Sequence, residues 1–190
     1  MDTQIQDDQT FENTDFSEKK VSVIEYNNCE FINCNFSKSD LSNINFVDCF
    51  CKGCNFSLAV LKNAGIKNVR FVNSKLMGID FGVCNDFLFS ASFENCQLDY
   101  SSFYKKKLKK ASFSSCSLKE VDFTETDLSG TVFKNCDLTG AVFVQTILEK
   151  ADFRTARNYA LDPELNKIKK AKFSLPEVAG LLAKYNIDIA

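Results

Sequence analysis

The sequence contains no histidine and no tryptophan among its 190 residues. Histidine is the commonest general base in enzymes and the commonest protein ligand of metal ions, so its absence disfavours both kinds of site. The chain also lacks a glycine-rich phosphate loop and a nucleophile paired with a base. We therefore expect a protein that is not an enzyme and that binds no cofactor and no metal.

Long apolar runs are missing as well, so no segment is expected to span a membrane. The first ten residues, MDTQIQDDQT, lack the basic and apolar regions of a signal peptide. We expect a cytoplasmic protein whose nine cysteines are reduced. The formal net charge is only −2, but residues 1–95 contain 8 basic and 13 acidic side chains, whereas residues 96–190 contain 15 and 12. This asymmetry indicates different surfaces at the two ends of the molecule.

Phenylalanine is abundant, with 19 residues, and most of them recur at every fifth position from Phe11 onward. In the second half of the chain the period has no gap, and Phe alternates with Leu. Two positions before each of these residues lies a second series, which is small or β-branched apart from Lys106. The expected structural core is Phe93, Leu98, Phe103, Leu108, Phe113, Leu118, Phe123, Leu128, Phe133, Leu138, Phe143, Leu148 and Phe153.

A period of five fits neither a helix, which repeats every 3.6 residues, nor a simple strand, which repeats every two. It fits a chain that turns a corner after each short extended segment, so that four segments make a square coil of about 20 residues. Within a segment, residues two apart point to the same side, here inward. The small residue lies near the crowded corner and the large residue fills the middle. The sequence therefore predicts an all-β solenoid of stacked, four-sided coils.

The repeat also predicts how the chain is divided. We expect a polar tail at residues 1–10, a solenoid of about seven to eight coils at residues 11–173, and a cap at residues 174–190. The register slips once, because Phe81 and Leu88 are separated by two residues more than the period requires. We interpret the slip as an outward bulge, with a recognition protrusion as the alternative.

A capping box, Ser174-Leu175-Pro176-Glu177, predicts a short α-helix over about residues 175–185. A solenoid needs its open end covered, and a cap needs one apolar face. This segment has apolar groups on more than one face, which predicts self-association as well as capping. The residues expected to form the cap and dimer contact are Leu175, Val178, Leu181, Leu182, Tyr185 and Ile187.

Units such as Cys136-Asp137-Leu138-Thr139-Gly140 and Ala151-Asp152-Phe153 resemble the repeats of pentapeptide repeat proteins. The resemblance covers about residues 11–173 and implies a right-handed quadrilateral parallel β-helix. Residues 177–187 resemble the C-terminal helix of the Qnr-type quinolone resistance proteins. That branch implies a homodimer formed through the C-terminal helix, and binding to DNA gyrase or topoisomerase IV as a DNA-like rod that protects against quinolones. The alternatives are a scaffold for a different partner and a binder of an anionic partner.

Cysteine is the first candidate for chemistry. Cys34, Cys54, Cys96, Cys116 and Cys136 are predicted to lie in one column of the coil. A thiol ladder suggests metal or redox chemistry, but stacked strands would hold the sulfurs roughly 4.8 Å apart, too far for one zinc ion. We therefore interpret the cysteines as small apolar core residues.

The second candidate is a basic run formed by Lys105, Lys106, Lys107, Lys109 and Lys110. Such a run can contact an anionic partner, but it is more often a solvated surface, and we do not expect direct nucleic-acid binding. Lys106 falls on the inward series, so we predict either local distortion there or a side chain that reaches back to water.

Overall fold

The computed structural model describes residues 5–18 and 21–188, with the side chain of Leu88 outside the description. The described strands are β1 (Ile5–Asp7), β2 (Thr10–Glu12), β3 (Glu25–Asn27), β4 (Glu30–Ile32), β5 (Asn45–Val47), β6 (Phe50–Lys52), β7 (Gly65–Lys67), β8 (Val69–Val72), β9 (Ala91–Glu94), β10 (Ser112–Ser114) and β11 (Val132–Lys134). Three short 3-10 helices span Asp86–Leu88, Val178–Leu181 and Ala183–Tyr185. No helix among the described residues is long and apolar enough to cross a bilayer.

The strands pair in parallel, and a residue usually lies beside the one 20 positions later, as Phe11 lies beside Phe31. One sheet has the order β11-β10-β9-β8-β6-β4-β2 and forms what we call side 1, and a sheet of order β1-β3-β5-β7 belongs to side 4. Isolated parallel bridges with the same spacing form sides 2 and 3, such as Asn35↔Asn55 and Asp122↔Val142. This arrangement confirms the predicted right-handed quadrilateral parallel β-helix.

Each corner is made by the residue two positions after the central one, which adopts a left-handed backbone. Asn28, Asn33 and Asn68 do so with φ values of 50°, 53° and 53°. Asparagine enters this region more readily than most residues, because its short polar side chain makes local hydrogen bonds. Corner side chains of successive coils also bond to each other, as Asn63 Nδ2 donates to Asn43 Oδ1 at 3.0 Å. The corners therefore end each segment after five residues.

The core is a ladder of rings. All thirteen expected core residues from Phe93 to Phe153 are buried, with no more than 4% exposure. The Phe113 ring stacks between Phe93 and Phe133, with centroid distances of 5.1 and 5.3 Å. It also meets Phe123, on the opposite side 3, edge to face at 6.2 Å. Stacking along one side and edge contacts across the coil are both favourable aromatic geometries, so Phe on two opposite sides fills the coil completely.

The coil begins earlier than expected. β1 pairs with β3 in the regular register, Ile5 beside Glu25, so residues 5–10 belong to the solenoid rather than to a tail. Asp7 and Asp8 of this segment are exposed, whereas the half-buried Gln6 stands at the central position beside Tyr26. Residues 1–4 of the expected tail lie outside the described residues.

The C-terminal segment also differs from its prediction, because two 3-10 turns replace the expected α-helix. A Cβ atom on Gly180 would lie 2.0 Å from the carbonyl oxygen of Tyr159, so the backbone of the segment is pressed directly onto the last coil. The N–H of Leu161 donates to the Gly180 carbonyl at 3.1 Å, which takes that carbonyl away from helical hydrogen bonding. So short a segment has little helical stability of its own, and these contacts decide its conformation. Residues 189 and 190 of the expected cap lie outside the described residues.

Candidate functional site

The small inward residues are hydrogen-bond donors. Cys34 Sγ donates to the carbonyl of Phe11 at 3.3 Å, and Cys136 Sγ donates to that of Phe113 at 3.4 Å. Threonine makes the same contact in other columns, with Thr126, Thr131 and Thr146 donating to Phe103, Leu108 and Phe123 at 2.8, 2.8 and 2.9 Å. Each donor reaches the carbonyl of a central residue in the preceding coil. The sequence analysis did not predict this hydrogen bonding, although the interchange of Cys, Ser and Thr at the small inward position indicates it.

The surroundings of most of the thiols favour the neutral form. All nine cysteines are free and buried. Burial raises the pKa of Cys54 and of Cys84 to about 12, so these groups remain thiols at neutral pH. Among the described residues, no group of three or more Cys, Asp or Glu side chains is placed to hold a metal ion. The geometry assigns the cysteine column to packing and hydrogen bonding between coils.

The aspartates that precede central residues have a local role. Asp122 Oδ1 accepts the N–H of Thr124 at 2.9 Å, and Asp137 Oδ1 accepts that of Thr139 at 3.2 Å. Asp152 does the same for Arg154, and the hydrogen bonds from the Arg154 side chain lower its pKa. These carboxylates lie on different sides of the coil. They stabilise turns and do not form the pair that acid–base catalysis needs.

The basic run divides into one buried lysine and four exposed ones. Lys106 is 1% exposed, and its Nζ donates to the Cys84 carbonyl at 2.5 Å and pairs with the Asp86 carboxylate. The ammonium also lies 5.6 Å from the centre of the Phe89 ring. Of the two alternatives predicted for Lys106, the structure shows local distortion rather than a side chain that reaches water. Burial also makes Lys106 unavailable to a partner, which corrects its inclusion among the partner-contact residues. Lys105, Lys107, Lys109 and Lys110 remain exposed.

The partners of Lys106 come from the slip in register. β8 and β9 pair with Phe71 beside Phe93, an offset of 22 residues rather than 20, so the slip falls where the sequence placed it. The 3-10 helix Asp86–Leu88 takes up the two extra residues, and Phe89 packs against the Phe81 ring at 5.9 Å. The displaced coil leaves room for a lysine stem at a position where the next coil has Thr126.

Phe87 is the tip of this turn and is 92% exposed. Its backbone N–H donates to Asn85 Oδ1 at 3.0 Å, which fixes the start of the turn. The residue before it, Asp86, is tied to the buried Lys106. The ring therefore contributes little to the packing of the coil. We name residues Cys84–Phe89 the slip loop.

A groove with exposed apolar side chains lies on the side of the coil that precedes the slip loop. Leu58, Val60 and Val83 are 56%, 50% and 45% exposed, and together with Asp80 they line a shallow groove on side 3. Val83 lies directly before the slip loop and so connects the groove to Phe87. An apolar groove beside an exposed aromatic is typical of protein contact surfaces.

The C-terminal cap has an inner and an outer surface. Of its six expected contact residues, Leu181 packs against the core. The segment is also held to the last coil by a hydrogen bond from the Asn158 N–H to Glu177 Oε2 at 2.9 Å. Lys184 Nζ lies 2.9 Å from Asp162. The other five expected residues stay at least 40% exposed: Leu175, Val178, Leu182, Tyr185 and Ile187.

Comparison with known proteins places these features in context. A family model described as a pentapeptide repeat region matches residues 24–103 and 86–157. HetL, a pentapeptide repeat protein involved in heterocyst differentiation regulation from the cyanobacterium Nostoc sp., has a similar structure, with a TM-score of 0.62 and 17% identity over 90% of this chain and 87% of that one. A trypsin-treated variant of QnrB1, a plasmid-mediated fluoroquinolone resistance protein, has a TM-score of 0.54 and 18% identity over 98% of both chains. No curated protein sequence matched the chain.

Proposed function

This chain belongs to the pentapeptide repeat family, and we propose that it is a non-enzymatic scaffold that binds another protein through the outer surface of its rod. The observation that carries the proposal is the slip loop, where a regular coil is interrupted to expose one aromatic ring. Phe87 is 92% exposed, and the turn that carries it is held by a lysine with 1% exposure. At this exposure the ring adds little to the core of the coil.

The slip loop suits a binding role because it is ordered before a partner arrives. Exposed aromatic side chains supply much of the energy of protein interfaces when they enter a partner's pocket. Fixing the loop in advance reduces the conformational entropy lost on binding. The ion pair of Lys106 with Asp86 and the hydrogen bond of Asn85 with the Phe87 N–H provide this fixation.

For the partner we propose a type II topoisomerase, DNA gyrase or topoisomerase IV, with protection against quinolones as the consequence. The likeness of the rod to QnrB1 along its whole length supports this choice. The acidic half also orders its carboxylates in rows: Asn28 Nδ2 donates to Asp8 Oδ1 at 2.6 Å, and Asn68 Nδ2 donates to Asp48 Oδ1 at 2.7 Å. Regularly spaced negative charge on a rigid rod resembles the phosphate rows of duplex DNA.

We also propose that the rod forms a homodimer through its C-terminal cap. The support is the outer surface of the cap, where Leu175 is 86% and Ile187 is 56% exposed beside Tyr185. Light scattering checks this proposal: the wild type should have twice the monomer mass, and Leu175→Lys should shift it towards the monomer. A monomeric wild type at micromolar concentration contradicts it.

The topoisomerase proposal is tested with gyrase supercoiling assays run with and without a quinolone. We expect the chain to restore supercoiling in the presence of the drug, and Phe87→Ala to lose this effect. Val144→Ala, which changes an exposed residue on side 3 far from the slip loop, is the matched control and should behave as the wild type. No effect of the wild type at micromolar concentration removes the topoisomerase from the proposal.

A further inference from the structure

The coil gathers lysines that are far apart in the sequence onto one part of the surface. Bridges link Lys107 to Asp127, Asp127 to Ile147, and Ile147 to Lys167, so these residues form one column on side 4. The corner after side 4 carries a parallel column, since Lys110, Lys150 and Lys170 have left-handed φ values of 58°, 60° and 61°. We name the whole set the lysine strip: Lys107, Lys109, Lys110, Lys150, Lys167, Lys169 and Lys170.

The lysine strip is exposed and mostly unneutralised. All of its members are exposed, and among the described residues only Lys109 makes an ion pair, with Asp127 at 3.3 Å. Asp127 and Glu149 are the acidic side chains on the same columns. Successive coils lie roughly 4.8 Å apart, so the three steps from Lys107 to Lys167 span about 14 Å. A dense positive field therefore covers a short, flat length of the rod.

The composition of the lysine strip distinguishes between classes of partner. Protein interfaces are depleted in lysine and depend on aromatic and arginine anchors, and the strip contains neither. Lysine ammonium groups act as point charges, and phosphate oxygens are the anionic groups that such charges contact in nucleic acids without reading sequence. The strip thus fits a phosphate backbone better than a protein surface.

We propose that the lysine strip binds the phosphate backbone of double-stranded nucleic acid without sequence specificity. A duplex carries one negative charge per about 1.7 Å of its axis, so even a short crossing contact brings several phosphates to the strip. The opposite end of side 4 is acidic, with Asp7 and Glu25 on its strands and Asp8 and Asp48 at its corner. That end repels a duplex, which therefore crosses the rod near its C-terminal end instead of running along it.

This inference concerns residues other than Phe87, although Phe89 of the slip loop lines one pocket with Lys107, Lys109 and Lys110. The test is fluorescence anisotropy of a labelled 20-base-pair DNA duplex titrated with the full chain at about 50 and 200 mM salt. Each phosphate contact contributes about −0.9 to the slope of log K against log salt, so we expect a slope of roughly −3 to −5. Dissociation constants should lie in the micromolar range at the lower salt concentration.

Two variants with equal charge change locate the site. The combined variant Lys110→Gln, Lys150→Gln, Lys167→Gln and Lys170→Gln should weaken binding at least tenfold and make the slope less steep. The control, with Lys52→Gln, Lys62→Gln, Lys67→Gln and Lys75→Gln in the acidic half, should bind nearly as the wild type. All eight side chains are exposed, so circular dichroism should show that both variants fold.

Three results would overturn the proposal: no binding at the lower salt concentration, equal loss in both variants, or tighter binding of a poly-glutamate competitor than of the duplex. The last result would indicate an acidic protein as the partner. Phe87→Ala should leave DNA binding unchanged. The lysine variants therefore test DNA binding and Phe87→Ala tests protein binding, so that either proposal can fail without the other.

Discussion

The ammonium of Lys106 pairs with the carboxylate of Asp86, although the Lys106 side chain is 2% exposed and the Asp86 side chain is 78% exposed. The pair joins the inside of the coil to the slip loop on its surface. A lysine at an inward position is tolerable only because the slip supplies a carboxylate and the Cys84 carbonyl as acceptors. The slip in register therefore stabilises a lysine that occupies an inward position of the repeat.

This pairing predicts unequal effects of its two single substitutions. Asp86→Ala leaves a buried ammonium with one carbonyl acceptor and should cost about 3 kcal/mol. Lys106→Met keeps an apolar side chain of similar length, and the exposed Asp86 carboxylate remains solvated. This variant should lower the free energy of unfolding by about 1 kcal/mol. Urea unfolding of both variants and of the double variant, which should be more stable than Asp86→Ala, checks the account. A larger loss for Lys106→Met than for Asp86→Ala contradicts it.

The ring ladder predicts a contrast between two phenylalanines. Phe113 is fully buried between two stacked rings, and Phe113→Ala should lower the free energy of unfolding by about 3–5 kcal/mol. Phe87→Ala removes a ring that is 92% exposed and should change it by less than about 0.5 kcal/mol. Denaturant unfolding measures both. A destabilisation at Phe87 comparable to that at Phe113 would show that the slip loop exists for packing.

Burial of the thiols predicts slow chemical labelling. The nine cysteines are buried away from the reagent, so the native protein should react with a thiol reagent at pH 8 only as fast as it unfolds. Denatured protein should label nine thiols at once. The control is Ser112→Cys, at the exposed position of β10, which should add one fast equivalent. Rapid labelling of most cysteines in the native wild type is incompatible with the described core.

The buried thiols also make the stability of the folded protein decrease at alkaline pH. Burial raises the pKa of Cys54, Cys84 and Tyr26 to about 12 in the folded state, whereas unfolded cysteine and tyrosine titrate near about 8.5 and 10. The unfolded chain therefore loses these protons first. Their contribution to stability is complete below about pH 8.5 and is lost as the pH rises towards 12. Urea midpoints measured from pH 7 to 11 should decrease, and a midpoint that increases over this range contradicts the account.

The fold could be predicted from the sequence because the repeat acts locally. One large residue, one small residue and one corner residue in every five decide each segment, and a gap of seven residues located the slip. Features that depend on two distant segments were not predictable. The contact of Lys106 with Asp86 needs the three-dimensional offset between coils. The lysine strip needs coils from residues 107 to 170 to be stacked, and the Gly180 backbone adopts its turn only against Tyr159.

Equilibrium binding to purified DNA gyrase tests whether the slip loop binds a protein partner. Fluorescently labelled wild type, Phe87→Ala and the control Val144→Ala are titrated with gyrase at physiological salt. The account predicts saturable binding that Val144→Ala retains and that Phe87→Ala weakens by about 30-fold, the effect of losing an interface hot spot. Unfolding midpoints should remain unchanged in both variants. Absence of saturable binding, or equal affinity of Phe87→Ala and the wild type, contradicts the account.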